Sequence, residues 1–161
     1  MKHILTRQTL KRKVDGHRKE GRAIVFTNGC FDVLHAGHVR YLAEAKKRGD
    51  ILVLGLNSDR SVRLLKGRGR PIVPEGERAL VMASLKSVDY VTIFDEETPL
   101  ALIEFLKPDI IVKGGDWAAN DVVGGVSVKQ WGGGVVIIPY VPVLSTTNII
   151  KKILSTRNKG G

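Results

Sequence analysis

Two histidines three positions apart, His35 and His38 in the stretch HAGH, are the residues whose types and spacing most directly suggest chemistry. They follow an apolar run and a short turn in which Gly29 permits a tight reversal, and a helical pattern then begins near Ala36 or Gly37. Backbone N–H groups at a helix start form an anion site, and the dipole adds about half a positive charge. Imidazoles at i and i+3 share one side of such a terminus and donate to phosphate oxygens, while Gly37 between them leaves room for a polyphosphate. Spacing alone leaves three readings open: phosphate contact, half of a metal site, and imidazoles with structural roles. Against the metal, HAGH is not the HExxH pattern, and the other histidines, His3 and His17, fall in a basic N-terminal stretch.

Three further stretches carry chemical side chains. Arg60, Arg63, Lys66, Arg68 and Arg70, interrupted by Gly67 and Gly69, read as a glycine-hinged basic loop that closes on phosphates, or as a solvated loop. KGGDW, from Lys113 through Gly114, Gly115 and Asp116 to Trp117, has the composition of a base or ribose pocket, and equally of a turn with a core Trp. Ser145, Thr146 and Thr147 either meet a phosphate or cap a helix. The glycines do not form G-x-G-x-x-G, and no GxxxxGK followed by Ser or Thr occurs, which disfavours dinucleotide and P-loop chemistry.

These residues need elements to position them. AIVFTN (23–28), ILVLGLN (51–57), YVTIF (90–94), DIIVKGG (109–115) and VVIIP (135–139) read as strands, mostly with the continuous apolarity of strands covered on both faces. Helical spacing falls between them: Val39, Leu42, Ala43 and Ala45; Ala79, Leu80, Met82, Ala83 and Leu85; Leu100, Leu102, Ile103 and Leu106. Alternation of this kind predicts an α/β, Rossmann-like, doubly wound parallel sheet of five strands with helices on both faces. RQTLKRKVDGHRKE predicts a mostly polar helix docked by Leu10 and Val14, and STTNIIKKIL a closing helix. In such sheets ligands bind beyond the carboxyl ends of the strands, where the polar and Gly-rich stretches fall. The organisation expected is a basic N-terminal helical arm (1–22), one catalytic domain (23–155) and a flexible tail (156–161).

The net charge of +10 sits at the two ends of the chain. Residues 1–22 hold eight Lys/Arg and two Asp/Glu, residues 151–161 hold four Lys/Arg, and the stretch between has fourteen of each sign. With few aromatics among the cations, nucleic-acid binding is a minor reading and no nucleic-acid partner is expected. The single cysteine, Cys30, permits no intrachain disulfide, and no apolar run approaches the roughly 18 residues of a membrane span. A cytoplasmic protein without membrane attachment is expected.

GCFDVLHAGH, GLNSD, RPI followed by GERALVMASLKSVDYV, KPDIIVKGGDW and STTNIIKKI occur in that order over about residues 24–153. Together they resemble the HxGH nucleotidyltransferases, and within them the bacterial adenylyltransferases that make ADP-heptose. HAGH after a strand and a GxFD turn carries the wider likeness; TNGCFD, VKGGDW and STTNIIKKI carry the heptose one.

The resemblance implies transfer of AMP from ATP to D-glycero-β-D-manno-heptose 1-phosphate, giving ADP-heptose and pyrophosphate. A phosphate oxygen is already nucleophilic near neutral pH, so catalysis reduces to in-line positioning and charge stabilisation, without a covalent intermediate. It implies that His35 and His38 hold the triphosphate, that Lys66 reaches the phosphates as its loop closes, and that Arg78 assists. Asn28, Gly29, Cys30, Phe31, Asp32, Gly37, Asn57 and Asp59 belong to the implied nucleotide site. Within it Asp32 orders the turn or supports a metal-bound water rather than acting as a base. Lys113 to Trp117 would flank the adenosine and Ser145 to Thr147 face the phosphates.

Mg2+ is implied on the phosphate oxygens, held by substrate and water without a dedicated carboxylate cage. Also implied are a homodimer and, since the chain has no room for a kinase domain, a separate heptose kinase upstream. Cytidylyltransferases of the superfamily usually carry arginines in RTxGISTT and RYVDEV stretches; here VPVLSTT and KSVDYV lack both, which disfavours CTP with a polyol or amino-alcohol phosphate. A non-catalytic nucleotide or nucleic-acid binder is the alternative of another class.

Overall fold

The computed structural model describes residues 3–115, 117–139 and 145–157. Its strands are β1 (Ile24–Gly29), β2 (Ile51–Asn57), β3 (Tyr90–Phe94), β4 (Ile110–Gly114) and β5 (Gly134–Ile138). All pair in parallel in the order β3-β2-β1-β4-β5. The chain winds outward from β1 to β3, then returns to place β4 on the other side of β1. The reversal opens a crevice between the carboxyl ends of β1 and β4.

Helices α1 (Arg7–Lys19), α2 (Ala36–Lys46), α3 (Asp59–Lys66), α4 (Glu75–Ala83), α5 (Leu100–Leu106), α6 (Gly125–Gln130) and α7 (Thr146–Arg157) complete the described elements. Strand side chains alternate, so each face of the sheet needs its own cover. Ile24, Phe26, Val53 and Ile111 face a core completed by Leu10 and Val14 of α1, Leu102, Ile103 and Leu106 of α5, and Val128 of α6. Val25, Leu52, Leu54 and Val112 face the second core, completed by Leu42 and Ala45 of α2 and by Ala79 and Met82 of α4. The doubly wound α/β sheet is thus present with helices on both faces. Leu10 and Val14 are fully buried, which makes the basic N-terminal helix a structural part of the first core.

One expectation is corrected. The stretch with Arg60, Arg63 and Lys66, read as loop, is the helix α3, and the loop begins only at Gly67. Ser58 caps this helix by accepting from Ser61 N–H, and Ser61 and Val62 bury one face of it. Gly67 closes it at φ 88°, a conformation that costs a side-chain-bearing residue strain. No helix among the described residues is long and apolar enough to cross a membrane.

Candidate active site

The turn after β1 is built around an aromatic ring. Phe31 adopts φ 42° and is buried, and its ring lies where a Cβ on Gly29 would approach to 2.7 Å. A glycine at position 29 is therefore required by the ring, which also meets His38 edge-on at a centroid distance of 5.1 Å. Asp32 ties this turn to the loop after α3. Its carboxylate accepts from Arg70 Nε at 2.5 Å, from Ile72 N–H at 2.8 Å and from Val73 N–H at 2.8 Å. Burial alone would raise the Asp32 pKa; the two N–H groups and the guanidinium outweigh it and hold the carboxyl below its ordinary value.

His35 is the N-cap residue of α2, and its side chain makes no capping bond. His38 lies one turn into the helix, and the two imidazoles stack with centroids 3.8 Å apart and 23° between planes. Neither Nδ1 has a hydrogen-bond partner among the described residues. Burial, followed by the neighbouring His35 and then Lys66, pushes the His38 pKa down to about 4, and burial lowers that of His35. Both rings are neutral at pH 7 in this state, yet they stand at the positive end of a helix and near Lys66, a setting that favours an incoming anion.

A cleft of about 480 Å³ opens at the β1–β4 reversal. Asn28 to Asp32 line it from β1 and its turn, and His35, Gly37 and His38 from α2. Lys66 enters from the end of α3, Lys113 and Gly114 from β4, and Ser145, Thr146 and Thr147 from the start of α7. Of the residues singled out in the sequence, these fourteen come together around one cavity.

Others do not line it. Arg78 is 1% exposed and donates to the carbonyls of Val73, Cys30 and Asn57 and to the Asp59 carboxylate. Its nitrogens are engaged beneath the turn rather than offered to a phosphate. Asn57 is buried and donates to Ser61, and Asp59 receives Arg78. Gly115 donates its N–H to the Ile138 carbonyl, and Trp117 is 51% exposed, both outside the cleft lining. Asp116 lies outside the described residues.

The cleft also has walls that motif reading passed over: Arg40, Tyr41 and Glu44 of α2, with Ile138 and Pro139 at the end of β5. The Tyr41 hydroxyl lies 2.6 Å from Thr27 Oγ1 and donates to the Val112 carbonyl at 3.1 Å, joining β1 to β4 at the crevice. A signal for it existed, since position 41 is one helical turn beyond His38 on the same face.

Known proteins place this architecture. The cytidylyltransferase-like family model matches residues 26–152. The chain is 52% identical over 157 residues, 98% of its length, to a bifunctional protein HldE of Syntrophotalea carbinolica. It is 57% identical over 141 residues to the one of Geobacter metallireducens. The chain spans about a third of the length of these relatives, 32% and 29%. Among solved structures, a lipopolysaccharide core biosynthesis protein from Thermoplasma volcanium is 32% identical with a TM-score of 0.61, the match covering 75% of this chain and 98% of that one. A pantoate-beta-alanine ligase from Francisella tularensis, 15% identical with a TM-score of 0.61 over 96% of this chain and 80% of its own, shares the fold. With the fold, the HAGH helix start and these matches in agreement, the chain belongs to the cytidylyltransferase-like family of nucleotidyltransferases.

Proposed function

We propose that this chain is an adenylyltransferase that moves AMP from ATP to D-glycero-β-D-manno-heptose 1-phosphate. The observation that carries the reading is the stacked His35–His38 pair at the start of α2, lining a cleft at the β1–β4 reversal. The choice of acceptor rests on the motifs TNGCFD, VKGGDW and STTNIIKKI, and is in keeping with the likeness to a lipopolysaccharide core biosynthesis protein of Thermoplasma volcanium. A sugar-phosphate oxygen attacks the α-phosphorus, a new P–O bond forms, the bond to the β-phosphate bridging oxygen breaks, and pyrophosphate leaves. His35, His38 and the N–H groups at the start of α2 hold the triphosphate, and Lys66 stabilises the charge that builds on the leaving group. Thr146 and Thr147, at the start of α7, face the same phosphates.

Magnesium would be held mainly by the ATP phosphates and would supply charge neutralisation there. The donor set fits a metal carried by substrate: protein donors already occupy both Asp32 oxygens, and among the described residues no three His, Cys, Asp or Glu side chains gather. The reading includes a cytoplasmic homodimer and an upstream kinase activity that supplies the heptose 1-phosphate. Pyrophosphate release measured with ATP, CTP, GTP and UTP against a panel of phosphorylated acceptors tests it. Turnover with ATP and the heptose 1-phosphate is expected; turnover only with CTP and glycerol phosphate would overturn it in favour of a cytidylyltransferase.

A further inference from the structure

In-line transfer needs two anions in one cleft, approaching the α-phosphorus from opposite sides: the nucleotide triphosphate and the acceptor phosphate. The first has its pole in the start of α2, the two histidines and Lys66. Lys66 is close enough to help depress His38.

Lys113 forms a separate pole. Strand alternation puts it on the side of Ile111, the face covered by α1, α5 and α6, while the histidines ride on α2 over the opposite face. The β1–β4 register, Phe26 opposite Ile111, continues to Asn28 opposite Lys113 at the mouth of the crevice. There Lys113 Nζ donates one long bond, 3.5 Å, to Asn28 Oδ1 and forms no ion pair among the described residues. Burial pushes its pKa below the ordinary lysine value. A partly buried ammonium without a carboxylate is a cost to the fold that a bound anion relieves.

We propose that Lys113 binds the phosphate of the acceptor and so selects phosphorylated acceptors over free sugars. The inference rests on the adenylyl-transfer reading, and it moves Lys113 from the adenosine, where sequence likeness places it, to the nucleophile. A lysine suits the task. Its ammonium is a point charge that holds one phosphate oxygen and leaves another free to attack, whereas a guanidinium fork engages two.

The test uses inorganic phosphate as the probe of the acceptor site, titrated calorimetrically into the protein with α,β-methylene-ATP already filling the nucleotide pole. Lys113→Gln is expected to weaken phosphate binding by about tenfold or more while nucleotide affinity stays within about threefold. Unchanged phosphate affinity, or a loss confined to the nucleotide, overturns the proposal. Lys113→Met gives a second variant; removing a partly buried cation that has no carboxylate partner among the described residues is expected to leave the melting temperature no lower than wild type, so loss of binding is separable from loss of fold. Because phosphate is the probe, a wrong sugar fails the acceptor panel and leaves this measurement standing.

Discussion

Two imidazoles stacked at 3.8 Å are poorly placed to be charged together, and burial adds to the penalty at His38. The pair therefore presents neutral donors at physiological pH, ready for phosphate oxygens. The linkage has a definite sign. The folded pKa of His38, about 4, lies below its ordinary 6.5, so its contribution to stability is full above pH 6.5 and is lost as pH falls towards 4. Replacing His38 by Ala is expected to lower turnover by about 100-fold or more while the fold survives. Melting curves at pH 7.5 and 5 should show a smaller acid-induced drop in the variant than in wild type. Near-normal turnover would remove His38 from the proposed mechanism. The placement of the histidines was legible in the sequence because a glycine turn and a helix start fix where they stand. Arg78 was not: a sequence shows a cation but not the three carbonyls and one carboxylate that surround it.

At the scale of elements, the candidate site is a set of strand ends held in register by connections that run beneath and beside the cleft. Arg78 of α4 gathers the turn after β1, the end of β2 and the start of α3, and Asp32 fastens that turn to the loop after α3. Arg78→Met should therefore act on stability first. It leaves buried carbonyls without a donor and Asp59 without its partner, a cost of roughly 3 kcal/mol in urea unfolding. Activity should decline with loss of the turn, and a variant as stable as wild type would contradict the positional role. The five strands were readable because their apolar runs are continuous. Helix α3 was not, because its charges and the following Gly67 and Gly69 mimic a loop while only Ser61 and Val62 turn inward. Helix α6 is six residues behind a glycine pair and has too few turns for a period to show.

For the molecule as a whole, strand order decides where chemistry occurs. The sequence shows that strands and helices alternate, but the order β3-β2-β1-β4-β5, and with it the crevice between β1 and β4, emerges only when the faces are packed. The same packing separates the two roles of the basic N-terminal helix. Leu10 and Val14 seal the core under β1 and β2, while Arg12, Lys13 and Lys19 point to solvent. If the helix is there for the fold, Leu10→Ala should cost about 2–5 kcal/mol in unfolding free energy, as large-to-small core changes do. Neutralising Arg12, Lys13 and Lys19 together with Gln should leave stability and turnover near wild type, because exposed charges contribute little. A nucleic-acid binder predicts the reverse weighting, with affinity and its salt dependence falling in the Gln variant, and a filter-binding salt titration on both variants decides between them.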